Sequence, residues 1–275
     1  MYKILEKKIL SESVKLMKIH APLVANKAQP GQFIILRIDE KGERIPLTIA
    51  DYDRKAGTVT IIFLEVGKTT RQLGRLKEGD TILNFVGPLG IPSDIKKYGN
   101  VVCIGGGVGI APLYPIIKAL KKEGNYTITI LGAKTEKLLI LEKEIGEYSD
   151  ELYITTDDGS KGDKGFVTDK LKDILEKKHK EINMVMAIGP IIMMKIISNI
   201  TRKYNIKTLV SLNPIMVDGT GMCGGCRVIV DNQVKFACVD GPEFDGHKVD
   251  YDNLMLRNLR FTHEEEESCK LAGVK

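Results

Sequence analysis

The stretch 101-VVCIGGGVGIAPLYPIIKALKK-122 decides the fold of this chain. It opens with an apolar run, passes through glycines at four of the five positions 105–109, and ends in a segment whose apolar residues recur with helical spacing. A run without polar alternation is typical of a strand buried on both faces. Glycines allow the sharp turn from such a strand into a helix. The stretch therefore predicts the first strand, loop and helix of a parallel α/β sheet.

The same alternation continues after this stretch. Short runs rich in β-branched residues are followed by segments of about 10 to 15 residues with helical character. This pattern predicts a doubly wound parallel sheet over residues 99–213. The predicted strands are 127–133, 152–156, 184–189 and 207–212, and the predicted helices are 136–147, 167–178 and 190–203.

Residues 1–98 have a different pattern, that of a small antiparallel β-barrel. Several short apolar runs follow one another closely, and glycine-containing turn signals separate them. The predicted strands of this domain are 14–19, 33–38, 45–50, 58–66 and 81–86.

Composition excludes several classes of protein. The 275 residues are 43% hydrophobic and 28% charged, which is the balance of a globular protein. The net charge of +5 is scattered, so we expect no nucleic-acid partner. No apolar run could span a bilayer and no signal-peptide core is present, so we expect no membrane contact and a cytoplasmic location. Five cysteines, an odd number, argue against a disulfide framework.

The glycine loop is the first candidate site. A backbone free of side chains can approach a pyrophosphate, and the following helix offers free N–H groups and the positive end of its dipole. Ile110 stands where the usual dinucleotide fingerprint has its third glycine. The alternative is a tight turn from strand to helix that binds no ligand.

A cysteine cluster gives the strongest chemical signal. Asp218-x4-Cys223-x2-Cys226-x11-Cys238 has the plant-type 2Fe-2S spacing, with aspartate in the first position. Interleaved glycines would let the backbone wrap a cluster and direct N–H groups at its sulfurs. Two alternatives stay open: structural zinc held by three cysteines with His247 or Asp218, and a reactive Cys-x-x-Cys without metal. We assign the cluster subdomain to 214–245 and a polar tail, available for a partner, to 246–275.

The barrel followed by a domain that opens with GGGVGIAP resembles the ferredoxin–NADP reductase superfamily. In that family the loop ends in the same Gly-x-Ala-Pro, here Gly109 to Pro112, which accounts for the missing third glycine. The resemblance extends to about residue 245. It implies that the barrel binds FAD, that the second domain binds NAD(H), and that hydride passes between the two cofactors. No general acid or base, and so no catalytic side chain, is implied.

The resemblance also implies the residues that hold FAD and the nucleotide. A first flavin motif matches Ile45–Thr48, with Arg44 one position earlier than in the family, and a second matches 64-LEVGKTTRQL-73. Near the nicotinamide, Ile188-Gly189-Pro190-Ile191-Ile192-Met193 has isoleucine where the family often has cysteine. The implied cofactor-binding residues are Arg44, Pro46, Leu47, Thr48, Ile49, Leu64, Glu65, Val66, Gly67, Thr69, Thr70, Gly105, Gly106, Gly107, Val108, Gly109, Ala111, Pro112, Gly189, Pro190 and Met193.

Coenzyme preference is argued from residues 157–159. NADP-dependent relatives commonly carry a Ser-Arg pair at this position, whereas here the strand ends in Asp157-Asp158-Gly159. A carboxylate would repel a 2′-phosphate and could accept a hydrogen bond from a ribose hydroxyl. Asp157 is therefore expected to favour NAD(H) over NADP(H). The alternative is that both aspartates only form a turn.

The string MVDGTGMCGGCRV narrows the resemblance. It is similar to the small subunits of NADH-dependent ferredoxin:NADP+ oxidoreductases, also called sulfide dehydrogenase small subunits. That similarity implies a heterodimer with a larger flavin and 4Fe-4S subunit, flavin-based electron bifurcation, and ferredoxin as an indirect partner. Two alternatives stay open: the electron-transfer subunit of a dihydroorotate- or sulfide-linked dehydrogenase, and a zinc-stabilised nucleotide-binding module without redox turnover.

Overall fold

The computed structural model describes every residue of the chain except 272, 274 and 275. The N-terminal region is a curled antiparallel sheet of seven strands in the order β6-β1-β2-β5-β4-β3-β7. The two edge strands, β6 and β7, are neighbours in sequence, so the sheet curls until its edges meet. Its elements are β1 (Tyr2–Ile9), β2 (Val14–His20), α1 (Pro22–Lys27), β3 (Phe33–Arg37), β4 (Ile45–Asp53), β5 (Thr58–Leu64), α2 (Lys68–Arg75), β6 (Thr81–Ile82) and β7 (Asn84–Leu89).

The second region is the predicted parallel sheet. Its strand order is β11-β10-β9-β8-β12-β13-β16, and every pairing is parallel except the last. Its elements are β8 (Asn100–Gly106), α3 (Ile110–Lys122), β9 (Tyr126–Ala133), α4 (Glu142–Gly146), β10 (Glu151–Thr156), β11 (Asp163–Lys164), α5 (Val167–Lys178), β12 (Ile182–Ile188), α6 (Ile191–Arg202) and β13 (Lys207–Ser211).

The C-terminal region joins the edge of this sheet. After a loop without regular structure, a hairpin forms, and the short strand β16 then pairs antiparallel with β13. Its elements are β14 (Arg227–Val230), β15 (Gln233–Phe236), α7 (Ala237–Asp240), β16 (Glu243–Asp245), α8 (Tyr251–Asn258) and α9 (Thr262–Leu271).

Three apolar clusters hold these regions together. One fills the barrel around Phe63 and Phe85, and the other two cover the faces of the parallel sheet. The cluster on one face includes Cys226 and Cys238, so the C-terminal region shares a core with the nucleotide sheet. The cluster on the other face takes in Ala50 and Ile62, which joins it to the outside of the barrel.

Two segments differ from the sequence-based expectation. The helix expected over 136–147 shrinks to a single 3-10 turn and the short α4. The polar tail expected over 246–275 contains two helices, and α8 buries Tyr251 and Leu254 against α6. Tyr251 and Leu254, spaced three apart on α8, make this contact although the composition of the segment is mostly polar. Within the described part of the chain, no helix is long and apolar enough to cross a membrane.

A carboxyl group lies where the three regions meet. Glu243 on β16 accepts a hydrogen bond from Ser93 Oγ at 2.5 Å, and Ser93 N donates to Pro30 O of the barrel at 2.9 Å. Burial, helped by the nearby charge of Asp94, raises the pKa of Glu243 to about 7. Burial raises the pKa of Tyr98, and the nearby carboxylates of Asp94 and Glu243 raise it further.

Candidate functional site: a nucleotide crevice, a flavin cavity and a thiol loop

The nucleotide crevice lies where the strand order of the parallel sheet reverses. β8 is the first strand of the sheet, and its neighbours β9 and β12 lead the chain away in opposite directions. In doubly wound sheets, ligands bind beyond the carboxyl ends of the strands at this switch point. The glycine loop follows β8 at that point and turns through a 3-10 turn, Gly107–Gly109, into α3.

Three glycines of the loop are closely packed, and backbone leaves no space for a side chain at Gly109. A methyl group at Gly109 would overlap the carbonyl group of Ile188, and one at Gly106 would lie 2.5 Å from Met193 Sδ. A methyl group at Gly105 would press on the start of α3. Gly107 differs, because its φ is +57° and nothing lies within 4 Å of where its Cβ would be. That open backbone is the part of the loop that a pyrophosphate could approach.

The segment that follows β12 packs onto the same loop. A Cβ at Gly189 would lie 2.6 Å from Met193 Cε and 3.1 Å from Gly106 O. Pro190 caps α6 and also lies within contact distance of Gly106. The structure therefore brings the expected nicotinamide segment and the glycine loop together. Val108 and Pro112 are partly exposed at this edge, whereas Ala111 is buried beneath it.

The two aspartates after β10 have different surroundings in the structure. The carboxylate of Asp158 accepts hydrogen bonds from Ser160 N at 2.9 Å and Ser160 Oγ at 2.6 Å, and these bonds lower its pKa. Asp158 is thus the turn former. Asp157 is exposed, and its backbone N–H donates to Ala133 O at 3.1 Å, which holds the residue at the carboxyl edge of the sheet.

The second expected flavin segment forms the start of α2. Gly67 is the N-cap of the helix, and Thr70 Oγ1 accepts hydrogen bonds from Val66 N and Gly67 N at 3.1 Å each. Thr69 Oγ1 donates to Glu43 Oε2 at 2.5 Å. The helix therefore opens on a backbone turn fixed by Thr70, with the Thr69 hydroxyl already bound to an anionic group.

This turn is one wall of a cavity of about 1000 Å³. Arg44, Ile45 and Pro46 of the barrel form a second wall, and Ile215 to Val217 of the C-terminal region reach the same space. Leu47, Thr48 and Ile49 continue along β4, and Ile49 is buried in the barrel. Leu64 and Glu65 lie behind the turn, where Glu65 pairs with Lys15 at 3.2 Å. Glu65 thus has a structural partner that sequence reasoning did not foresee.

The four expected cluster ligands lie in one neighbourhood: three belong to the loop 218–226, called the thiol loop below, and Cys238 lies in α7. Cys226 Sγ lies 3.2 Å from Cys238 Sγ, and both residues are buried. Asp218 Oδ2 accepts a hydrogen bond from Cys223 N at 2.8 Å. Burial, together with the neighbouring Cys226 and the charge of Asp218, raises the pKa of Cys238 to about 12. Among the described residues, no three of the His, Cys, Asp and Glu side chains are arranged closely enough to hold a metal ion.

Three glycines of this loop adopt backbone conformations that allow the chain to bend around the expected ligands. Gly219, Gly221 and Gly224 have φ values of +75°, +84° and +66°, so the chain bends where other residues would be strained. Gly225 N donates to Cys223 Sγ at 3.4 Å. Asp218 Oδ1 accepts from Thr220 N at 2.9 Å, and these N–H bonds lower the pKa of Asp218. A carboxylate that stays ionised and thiols that meet N–H donors suit an iron–sulfur ligand set.

The other candidate ligands lie elsewhere. His247 Nε2 contacts Thr201 Oγ1 at 2.9 Å on α6, so the structure does not bring its ring to the cysteines. Cys103 is fully buried in β8, and burial raises the pKa of its thiol to about 12. Cys269, for which the sequence offered no partner, lines the large cavity from α9.

Comparison with known proteins agrees with this geometry. The iron–sulfur cluster binding domain of dihydroorotate dehydrogenase B matches residues 213–250, and an oxidoreductase NAD-binding domain matches residues 103–199. A dihydroorotate dehydrogenase B (NAD(+)) electron transfer subunit homolog of Thermotoga maritima is 52% identical, covering 98% of this chain and 96% of the relative. The electron transfer subunit of Fusobacterium nucleatum is 33% identical, covering 83% and 89%.

A solved structure is also similar over the whole length. Its subject is flavin-based electron bifurcation by an NADH-dependent reduced ferredoxin–NADP oxidoreductase. It is 51% identical with a TM-score of 0.93, and the match covers 98% of this chain and 97% of the other. The expected reductase-like fold is therefore confirmed, as are an NAD-binding domain and an iron–sulfur domain.

Several residues of the cavity had no signal in the sequence. Glu43, Ile215, Met216, Val217 and Phe261 line it only because distant segments meet there. Arg71, one turn into α2, keeps a buried Nε without a hydrogen-bond partner among the described residues. Arg71 lies within the second flavin motif quoted above but was not among the implied cofactor-binding residues, and its unsatisfied buried donor identifies it.

Proposed function

The chain belongs to the family of dihydroorotate dehydrogenase B electron transfer subunits and their homologues, and we propose that it carries electrons between NAD(H), FAD and a 2Fe-2S cluster. One observation carries the proposal: Ile215 to Val217, which lead directly into the thiol loop, line the same cavity as the flavin turn Gly67–Thr70. A cofactor held at that turn would therefore adjoin the cluster ligands. Electron transfer between two groups depends on such proximity.

The residues around the large cavity fit FAD. The N-terminus of α2 offers backbone N–H groups to a diphosphate, and Arg44 and Lys68 add positive charge on the same cavity. Among the described residues, Arg71 Nε on that helix has no hydrogen-bond partner and is a further donor. Thr69 and Thr70 would hold the diphosphate through their backbone N–H groups, because their hydroxyls already bond to Glu43 and to the backbone of Gly67. Pro46, Leu47 and Thr48 would face the ring system.

The residues of the thiol loop fit a 2Fe-2S cluster. Cys223, Cys226 and Cys238 supply thiolates, which iron prefers, and Asp218 supplies a carboxylate oxygen. Cys226 and Cys238 are buried, whereas Cys223 is exposed. One side of a cluster held there would face the protein core and the other side would face solvent. A cytoplasmic location, where free thiols stay reduced, is part of the proposal.

When bound, FAD exchanges a hydride with NAD(H), and the cluster carries single electrons. The chain itself positions these groups. The loop 105–109 holds the dinucleotide at the sheet edge, and Met193 packs against that loop from α6. Asp157 would accept a hydrogen bond from a ribose hydroxyl and repel a 2′-phosphate, which favours NAD(H).

The exposed side of the thiol loop is where we place the partner subunit. Met222 next to Cys223 is 88% exposed, and Val217 and Val239 nearby are 44% and 42% exposed. Apolar side chains around an exposed electron-carrying ligand suit a protein that buries both on docking. The partner proposed is the larger flavin and 4Fe-4S subunit of a bifurcating complex, through which ferredoxin would be reached.

Two physiological acceptors remain candidates. The whole-length similarity to the bifurcating oxidoreductase structure, at 51% identity, favours the NADH-dependent ferredoxin:NADP+ reaction. The iron–sulfur family match favours a dihydroorotate-linked reaction. Asp218 weighs toward the first, because the string MVDGTGMCGGCRV that contains it resembles the small subunits of such oxidoreductases.

The test is an anaerobic visible spectrum of the purified protein with metal analysis, before and after addition of NADH. We expect a flavin band with iron–sulfur shoulders, about two iron atoms per chain, and bleaching by NADH. A colourless protein containing zinc would overturn the proposal. Co-purification with a tagged copy of this chain, followed by identification of the bound subunit, separates the two acceptors.

A further inference from the structure

Three arginine side chains lie beside the thiol loop, and we call Arg227, Arg257 and Arg260 the arginine cluster. Arg260 donates through Nη2 to Gly225 O at 2.9 Å, and Arg257 donates through Nε to Arg227 O at 3.1 Å. Gly225 and Arg227 are the two neighbours of Cys226 in the sequence. Two guanidinium groups are therefore bound to the backbone on either side of one expected iron ligand.

The three positive charges lie close enough to act on one another and on Cys226. Arg227 and Arg257 line one small cavity of about 200 Å³, and its lining within the described chain contains no carboxylate. Burial lowers the pKa of Arg257, and the charges of Arg260 and Arg227 lower it further, whereas Cys226 acts in the opposite direction. The arginine cluster is thus an electrostatic neighbour of this thiol.

The arginine cluster has no counter-ion among the residues that the structure describes. No ion pair in that part of the chain includes Arg227, Arg257 or Arg260. Arg257 also has a buried Nη2 for which the described chain offers no hydrogen-bond partner. Like charges that crowd together repel, so an anion placed beside them would be stabilised.

The expected ligand set of the thiol loop would supply that negative charge. A 2Fe-2S cluster held by three thiolates and a carboxylate is anionic, and reduction by one electron makes it more negative. Positive charges nearby favour the more negative form. Arg257 should contribute most, because it is half-buried, whereas Arg227 and Arg260 are exposed and are screened more strongly by salt.

We propose that the arginine cluster, and Arg257 above all, raises the reduction potential of the 2Fe-2S cluster and so draws single electrons from the flavin toward the thiol loop. The inference rests on the proposed function, since it requires iron in this loop. One electron leaves reduced FAD, one ferric ion becomes ferrous, and the guanidinium groups stay protonated throughout.

Two substitutions at Arg257 separate its charge from its hydrogen bond. Arg257→Gln removes the charge and leaves an amide N–H donor, whereas Arg257→Lys keeps the charge. Arg257→Gln should lower the equilibrium constant for one-electron reduction about threefold to tenfold, and tenfold corresponds to about 59 mV. Arg257→Lys should change it by less than about twofold. Equal shifts in the two variants would mean that Arg257 acts only through the shape of the loop, and would overturn the inference.

A second position tests the same charge effect without disturbing the buried donor. Arg260→Gln should lower the equilibrium constant by about twofold, less than Arg257→Gln, because Arg260 is exposed. Lys122→Gln is the control, since it removes the same charge from an exposed position on α3. Helix α3 packs on the face of the parallel sheet opposite to Cys226, so this variant should leave the potential unchanged.

The measurement is a redox titration of the purified holoprotein, followed by electron paramagnetic resonance of the reduced cluster. Iron content is determined in the same samples. An unchanged protein that contains no iron overturns the proposed function. A protein that holds iron and keeps the same potential in Arg257→Gln and Arg260→Gln overturns the role of the arginine cluster alone.

Discussion

The glycines of 105–109 lie between a strand and a helix, whereas those of 219–225 lie in a loop without regular structure. In the first loop, Gly109 is fixed because backbone at Ile188 leaves no room for a Cβ, and Gly105 and Gly106 are tightly packed against α3 and Met193. In the second, Gly219, Gly221 and Gly224 are fixed because their φ values are positive. The nucleotide loop is thus shaped by the core around it. The thiol loop is shaped by its own backbone and by bonds to Asp218.

Because of this difference, we expect the two loops to respond differently when their ligands leave. A loop embedded in a core keeps its shape when the ligand leaves. A loop that depends on a few hydrogen bonds and on its ligand does not, because binding free energy is then part of its stability. The predictions below test that contrast.

The largest expected effect is at Cys226. Cys226→Ser should abolish the iron content, because a serine oxygen is a poor replacement for a buried thiolate ligand of iron. NADH binding should change by less than about twofold, since the nucleotide loop is an independent site. Iron analysis and an NADH titration measure the two effects.

Asp218→Cys is the matched variant. It should keep the iron and shift the reduction potential of the cluster, because potential depends on ligand identity and charge. An unchanged potential removes Asp218 from the ligand set.

The next prediction compares the loss of stability caused by alanine at two glycines of the same loop. Gly109→Ala should lower the free energy of unfolding by about 3 kcal/mol, because its methyl group would overlap backbone at Ile188. Gly107→Ala should cost only about 1 kcal/mol, the penalty of a left-handed φ, since nothing surrounds its Cβ. Urea unfolding gives both values, and NADH titration should show weaker binding for Gly107→Ala. Equal losses of stability would contradict the packing explanation of this loop.

A smaller effect concerns the junction that holds the C-terminal region in place. The folded pKa of Glu243 is about 7 and its ordinary value is 4.5, so the folded chain binds the extra proton between these values. Stability should therefore fall as pH rises from about 4.5 through 7. Glu243→Gln removes this dependence and should be about 2 kcal/mol more stable than the unchanged protein at pH 8.

Urea midpoints at pH 5 and pH 8 measure this difference. Exposed Glu123→Gln is the control and should leave the pH dependence as it was. A parallel pH profile for Glu243→Gln and the unchanged protein would mean that Glu243 is ionised in the folded chain.

The smallest effect is coenzyme preference. Asp157→Asn should weaken NADH binding about threefold to tenfold, the difference between a charge-assisted and a neutral hydrogen bond, and should improve NADPH binding. Asp158→Asn should alter the preference less, because Asp158 is bonded to Ser160. The ratio of kcat/KM for NADH and NADPH is the measurement. Comparable values for the two coenzymes in the unchanged protein would already contradict the assignment.

Much of the fold followed from local pattern. Residues 101–104 form a strand buried on both faces, and the helix expected over 167–178 has those bounds in the structure. Strand β1 was missed because its Lys and Glu residues alternate with apolar ones, and only Ile4 is fully buried. A strand with one buried position gives a weak apolar signal.

The candidate sites also contain some residues that local sequence identifies and others that it does not. Candidate ligands that lie close in sequence, such as Cys223 and Cys226, could be proposed from their spacing. Phe261 and Ile215 could not, because they reach the flavin cavity only through the packing of separate regions. No local pattern encodes the shape of a space that distant segments enclose.

Through strand β16, the C-terminal region has a second role, which is to cover one edge of the parallel sheet. The strand's three residues cover β13, which would otherwise be the open edge of a parallel sheet. Bare edges recruit strands from other molecules, and a very short outermost strand is a common protection. A chain cut after residue 213 would lose its thiols and would also present Lys207–Ser211 to other copies of itself. The region that holds the thiols therefore also protects this sheet edge against aggregation.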